Sequence, residues 1–293
     1  MGKLVAFWSP YTGRAKVTSS LCAIAGMFGA EYPEYSIAIS HTGSEGLNLG
    51  NRIDCRYARN IKEEIYSKSG IASLIINCRQ AVLTADRVRR SAIPLIMKSL
   101  YFYPNVMENY NNQVTGYILT ELIPNEFDAL FLDVQSGFDA CSKKYLEEAD
   151  FVVVVLPQEP EIWKDYLLHE AEYLSEKKHF ILLGGYLTNS RFSKTYYLRR
   201  NGEKLLGELM GGIPFNTGFF DAMAEGRALD FIYKNQRVRK KEENYEFIFQ
   251  TKKIVDFLRK RILVPEFENK DTADASGLYR GVSDGSGLIG GSV

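Results

Sequence analysis

The chain of 293 residues is 45% hydrophobic and carries 36 basic and 36 acidic side chains. That gives material for a sizeable core and no net field to draw it onto nucleic acid or an anionic membrane, which leaves a bilayer at most a peripheral contact. Cys22, Cys55, Cys78 and Cys141 show neither a C-x-x-C pair nor histidines at ligand spacing, so they read as reduced, packed thiols rather than a zinc site or a disulfide framework.

In chain order, Leu4 to Trp8 is the apolar run of a strand buried on both faces, followed by a turn around Gly13 and a helical stretch to Gly26. The start has no charged region before a long apolar segment, and no apolar run approaches the roughly 20 residues that span a bilayer, so a cytoplasmic protein is expected. Tyr35 to Ser40 is a second strand. From 51 to 126 the pattern turns helical, with Ile61, Ile65, Ile71, Leu74, Ile75, Ala81, Val82, Val88 and Ile93 at three- and four-residue spacings. Within it, Ser99 to Val106 reads as a short strand interrupted by Pro104. Val114 to Leu122 reads as a helix feeding the strand Ala129 to Asp133, with Phe151 to Leu156 and His179 to Leu183 as further strands.

Strands alternating with helices predict a doubly wound, mostly parallel α/β sheet whose ligands sit beyond the carboxyl ends of the strands. Asn235 to Arg261 reads as a terminal amphipathic helix with Tyr245, Ile248, Val255, Leu258 and Ile262 as its apolar stripe. After Pro265 the composition shifts to Gly, Ser, Asp and Ala. The expected division is one domain over 1–265 and a flexible tail over 266–293.

The stretch V-A-F-W-S-P-Y-T-G-R-A-K-V-T-S-S-L-C-A-I-A-G, residues 5 to 26, has the strand, turn and helix layout of a phosphate-binding loop. Such a loop converges backbone N–H groups on an anion at a helix N-terminus, adds a lysine charge, and holds magnesium with a Ser or Thr. Thr12, Gly13, Arg14, Ala15, Lys16, Val17, Thr18 and Ser19 are the candidate binding residues, with Lys16 supplying the charge. Two places depart from G-x-x-x-x-G-K-[ST]: Ala15 stands where a Gly is needed, and Val17 where a hydroxyl is needed. A plain strand-turn-helix connection, with Thr18 or Ser19 as an N-cap, stands as the alternative on the loop alone.

Three further blocks occur in order: F-D-A-L-F-L-D-V-Q-S-G, E-E-A-D-F-V-V-V-V-L-P-Q-E-P and G-G-I-P-F-N-T-G-F-F-D-A-M-A-E-G. Together with the loop they resemble the ParA/MinD family of deviant Walker A ATPases through most of residues 3 to 262. The W-S-P-x-x-G loop and the P-F-N block are most similar to the CpaE/TadZ-like branch associated with Tad/Flp-type pilus assembly. The resemblance implies a P-loop NTPase fold of the SIMIBI class, ATP with magnesium as ligand, and a homodimer. It places Asp133 at the Walker B position, so Lys16 and Asp133 become the candidate catalytic pair and Thr18 with Asp133 the candidate metal ligands.

The departures from the family point away from efficient hydrolysis. The signature lysine falls at Tyr11 and the magnesium hydroxyl at Val17. The Asp-rich segment after the second strand is S-H-T-G-S-E-G, offering Ser40, His41, Thr42 and Glu45. The adenine-reading Asn falls near Gly184 or Gly185. Phosphoryl transfer depends on positioning and charge neutralisation, so these losses predict a scaffold with little or no turnover.

Two alternatives stay open: a slow magnesium-dependent ATPase switch that dimerises on ATP, and a DNA- or membrane-associated partitioning factor using Arg237, Arg239, Lys240 and Lys241. His41 reads as a surface polar residue. The aromatic clusters at Tyr101, Phe102, Tyr103 and at Tyr196, Tyr197 read as packing rather than base-stacking platforms. Phe219, Phe220, Tyr245, Phe247 and Phe249 read as core or a partner surface.

Overall fold

In strand β1 (Lys3–Trp8) every side chain from Leu4 to Trp8 is buried, so both faces need a covering layer. A computed structural model supplies it, describing residues 2–42, 47–53, 69–80, 83–96, 98–105, 113–201 and 210–264. The other strands are β2 (Ile37–His41), β3 (Ile93–Ile96), β4 (Leu100–Phe102), β5 (Ala129–Asp133), β6 (Phe151–Leu156), β7 (His179–Tyr186) and β8 (Met210–Pro214). They form one sheet in the order β3-β4-β2-β5-β1-β6-β7-β8, parallel throughout except for the antiparallel β3–β4 pair.

From β1 the chain first crosses to β2 on one side, with β5 later filling the gap, and then builds β6, β7 and β8 outward on the other. This reversal opens a crevice at the carboxyl ends of the central strands, where ligands of such sheets sit.

The described helices are α1 (Val17–Glu31), α2 (Leu47–Ile53), α3 (Gly70–Arg79), α4 (Ala85–Ser91), α5 (Gln113–Tyr117), α6 (Ile123–Glu126), α7 (Ala140–Glu148), α8 (Pro160–His169), α9 (Lys194–Asn201), α10 (Thr217–Ala224), α11 (Ala228–Asn235) and α12 (Tyr245–Ile262). A π-helical turn, Ile118–Leu122, joins α5 to α6. The side chains of β1 alternate between two cores. Val5 and Phe7 pack with α1, α11 and α12, whereas Leu4, Ala6 and Trp8 pack with α3, the π turn, α7 and α8. No helix among the described residues is long and apolar enough to cross a membrane.

The doubly wound sheet is as expected, with revised details. The second strand begins at Ile37 rather than Tyr35 and continues to His41. The helical reading of 51–126 is interrupted by β3 and β4. In β3, Ile93 and Leu95 are buried while Pro94 faces outward at the sheet edge, the one kind of strand that tolerates a proline. β4 is shorter than Ser99 to Val106, and the carbonyl of Pro104 instead accepts the Ile71 amide at the start of α3. The terminal helix begins at Tyr245, because 228–235 forms its own helix and residues 236–244 turn between the two.

Ile248, Val255, Leu258 and Ile262 of α12 are buried as the stripe predicts, joined by Phe247 and Ile254. Cys22 is buried and Cys78 and Cys141 are half-buried, all three as free thiols. Glu45, Cys55, Ile61, Ile65, Ala81, Val82, Val106 and the tail at 266–293 lie outside the described residues.

Candidate functional site

Residues Ser9 to Lys16 turn the chain from the end of β1 into α1. Lys16 is the N-cap of α1 and takes the left-handed conformation, φ 63° and ψ 39°, the only non-glycine among the described residues with positive φ. Its carbonyl accepts the Ser20 amide at 2.9 Å, and no side chain caps the first turn. Neither Thr18 nor Ser19 is the N-cap; both stand inside the helix. The conformational strain expected at Ala15 falls one residue later, on Lys16. Left-handed backbone in a lysine costs on the order of 1 kcal/mol. Ala15 is buried, and its carbonyl lies against Gly184.

The position after Lys16 is apolar, as the sequence reads: Val17 is 7% exposed and packs into the core. Thr18, one residue on, donates its Oγ1 hydrogen to Asp133 Oδ2 at 2.6 Å. The hydroxyl and the carboxylate named as candidate metal ligands therefore meet in the structure. Burial pushes the Asp133 carboxyl up to about 6, against the opposing pull of the Thr18 hydrogen bond and the Arg52 charge.

Lys16, Thr18, His41, Arg52, Asp133 and Gln135 line one cleft of about 380 Å³, which Thr12, Gly13, Ala15, Val17 and Ser19 complete from the loop side. Sequence reasoning did not single out Arg52. It lies in a helix after β2 with no motif around it, and only the fold brings it over the cleft.

The rest of the loop is engaged elsewhere. Arg14 pairs with Glu159 at 3.2 Å on the surface. Thr12 Oγ1 donates to the Ser136 carbonyl at 3.5 Å. Gly13 has φ 76°, and a Cβ there would meet open space. The Tyr11 phenol lies near Asp165 and Glu170, and burial together with their charges pushes its pKa up to about 12. It supplies no cation. Behind Asp133, the Gly137 amide donates to the Ser9 carbonyl at 3.0 Å, and Trp8 Nε1 donates to the Gly137 carbonyl at 2.8 Å. These bonds tie the segment after β5 to the loop.

His41 is not a surface residue. It is 4% exposed at the end of β2, beside Asp133 in the sheet register, and its Nε2 accepts the Asn105 amide at 3.2 Å. That bond uses Nε2 as an acceptor.

Gly184 and Gly185 back the loop. A Cβ on Gly184 would lie 2.2 Å from the Ala15 carbonyl oxygen, and Gly185, at φ 57°, would meet Lys16 Cγ at 3.2 Å. Asn216 of the P-F-N block caps α10, accepting the Phe219 amide at 2.8 Å, while its Nδ2 donates to Asn244 Oδ1 at 2.9 Å. Arg237, Arg239, Lys240 and Lys241 are exposed in the turn before α12, with Glu242 and Glu243 directly after them.

A mostly parallel sheet that turns from β1 into the N-terminus of α1, with an aspartate at the end of β5, makes a doubly wound α/β fold. No family model matches the sequence and no curated protein matches it. Solved structures do share the fold. A ParA family ATPase from Chlorobium tepidum is 14% identical, with a TM-score of 0.61 over 87% of this chain and 97% of that one. The septum site-determining protein MinD from Pyrococcus horikoshii, complexed with Mg-ADP, is 11% identical, with a TM-score of 0.60 over 87% and 96%. A putative plasmid partition protein from Borrelia burgdorferi, bound to AMPPNP, is 14% identical, with a TM-score of 0.59 over 89% and 100%.

The residues present fit magnesium in kind. Magnesium on a nucleotide takes one or two protein oxygens and leaves its other positions to phosphate and water, and the adjoining Thr18 hydroxyl and Asp133 carboxylate are such a pair.

Proposed function

We propose that this chain is a ParA/MinD-like protein that binds a nucleotide through its phosphates and positions a larger assembly, with little or no hydrolysis. The observation that carries the reading is the 2.6 Å Thr18–Asp133 contact in the cleft that Lys16 and the uncapped start of α1 also line. Lys16 and the first-turn amides would hold phosphate oxygens. Thr18 and Asp133 would hold magnesium, which when bound neutralises charge on the phosphates.

Hydrolysis needs more than this. The family's signature lysine is replaced by Tyr11, which brings no cation. His41, in the segment where the family places its water-orienting acid, has Nε2 committed to the Asn105 amide. Removing such groups lowers rates by orders of magnitude, and they act as a unit. The phosphate loop is in this sense degenerate.

The W-S-P-x-x-G and P-F-N blocks support service to a Tad/Flp-type pilus or a related secretion machine, in the cytoplasm and as a homodimer. Phe215 and Phe220 are exposed, with ring centroids 6.0 Å apart, and offer one apolar contact for a protein partner.

Calorimetric titration with ATP and ADP, with and without magnesium, tests the proposal alongside Lys16→Ala. Micromolar binding lost in the variant is the expected result, and no heat at millimolar nucleotide overturns it. The Thr18–Asp133 pair also favours a second reading, a slow magnesium-dependent ATPase that dimerises on ATP. Phosphate release that persists through purification and disappears in Lys16→Ala would select that reading.

A further inference from the structure

The cleft holds a second cation that no part of the motif accounts for. Arg52 is in the last turn of α2, and Leu49 and Ile53 of the same helix are buried at 2% and 1% in the core beside α1. The helix is therefore anchored, and Arg52 is carried over the cleft by packed structure. Its positive charge lies within electrostatic reach of Asp133 and of the buried Cys22 thiol. Among the described residues no carboxylate forms an ion pair with it, whereas the loop's own arginine, Arg14, is spent on Glu159.

The two cations also differ in place. Lys16 lines both this cleft and the adjoining apolar groove formed by Gly185, Pro214, Phe215 and Phe220, while Arg52 lines only the cleft, in company with Asp133 and His41. A phosphate chain entering from the groove past Lys16 would bring its far end to Arg52. The Thr18–Asp133 bond uses only the Thr18 proton and Asp133 Oδ2, so both groups keep oxygen lone pairs for a metal beside the phosphates.

We infer that Arg52 is a specificity-determining residue that binds the terminal phosphate of a nucleoside triphosphate. The inference rests on the nucleotide reading above. An arginine suits the task because its guanidinium stays charged at any working pH and presents paired N–H donors that match phosphate oxygens.

The test is calorimetry on the full chain with ATP, ADP and AMP in magnesium, for the wild type, Arg52→Gln and Arg52→Lys. For the wild type, ATP should bind more tightly than ADP. Arg52→Gln should weaken ATP by at least about 10-fold and ADP by less than about 3-fold, as expected for the loss of one charge-assisted phosphate contact. Arg52→Lys should restore part of the triphosphate preference and guards against a folding artefact in the glutamine variant.

An unchanged ATP-to-ADP ratio in Arg52→Gln overturns the inference and leaves the nucleotide reading intact. Absence of any nucleotide binding by the wild type overturns both.

Discussion

The phosphate end and the base end of the site have different fates. At the phosphate end, polar groups converge: Lys16 at the mouth, Thr18 on Asp133 at the floor, and Arg52 across from them. At the base end, the groups that would read a nucleobase are missing or occupied. The family's asparagine is replaced by Gly184 and Gly185, which lie under the loop, and Asn216 is used up as a helix cap tied to Asn244. What lines the groove there is apolar: Ile213, Pro214, Phe215, Phe219 and Phe220. On the proposed nucleotide reading, the contrast teaches that a phosphate grip and the means to choose a base can be lost separately, since the two ends rest on different strands and different helix termini.

The largest expected effect comes from forcing the lost base reader back. Gly184→Asn would place a Cβ 2.2 Å from the Ala15 carbonyl oxygen and 2.6 Å from Val155 Cγ1, both inside contact distance and the first of them backbone. Overpacking of this kind costs about 3 kcal/mol. Urea unfolding should show the loss, and adenine selectivity should not appear. A stable Gly184→Asn variant that prefers ATP over GTP would mean that the base end is open after all.

Lys16→Gly separates grip from strain. The glycine relieves the left-handed backbone at φ 63° and should raise stability by about 1 kcal/mol. It also removes the phosphate charge, and nucleotide affinity should fall by roughly 30-fold, about 2 kcal/mol. Thermal unfolding without nucleotide and titration with it measure the two halves. A variant less stable than the parent would show that the Lys16 side chain itself holds the loop.

Much of this was legible in the sequence because the strands are continuous apolar runs. Leu4 to Trp8, Ala129 to Asp133 and Phe151 to Leu156 are strands because burial on both faces leaves no polar position to confuse the period. The edge strands were not legible. β3 carries an exposed proline and β8 reads G-G-I-P, so neither has a strand composition; each is held by its one neighbour.

Lys16, Thr18 and Asp133 were legible from the ordered blocks as residues of one cleft, and the structure brings them together there, yet one local feature misled. His41 looked like a surface residue because its partner, Asn105, is 64 positions away, across a sheet register that no local pattern encodes.

Asp133 offers a test of the phosphate end that needs no ligand. Its carboxyl rises from the ordinary 3.8 to about 6 on folding, so the folded state binds the proton more tightly than the unfolded chain. Stability is then highest below pH 4, falls as pH rises from about 4 to about 6, and carries the full penalty above that. The shift corresponds to at most on the order of 3 kcal/mol, and access of water to the half-buried carboxylate reduces it to about 1–2 kcal/mol. Asp133→Asn keeps an oxygen to accept the Thr18 hydroxyl and removes the charge. The variant should be more stable than the parent by that amount at pH 7.5, with the difference vanishing near pH 4. Equal stability at pH 7.5 would show that Arg52 already compensates the charge in full, and would make the cation, not the proton, the group that neutralises this end of the cleft.

The smallest effect is the one most specific to the contrast between the two ends. A site gripped by phosphates and lined at its base end by phenylalanine and proline should hold ATP and GTP within about 3-fold of each other, under about 1 kcal/mol, because apolar contact with a purine face does not distinguish its edge groups. Removing one apolar ring should weaken both purine nucleotides equally. Phe220→Ala is the variant to use, since Phe220 is 54% exposed and its loss opens no core cavity. A tenfold preference for ATP would require an edge-reading donor or acceptor. The nearest side-chain amide on the groove wall is Asn216, whose oxygen is committed to the Phe219 amide and whose nitrogen is committed to Asn244. Selectivity would therefore imply that the Asn216–Asn244–Asn235 chain rearranges when nucleotide binds, and loss of that selectivity in Asn244→Ala would show it.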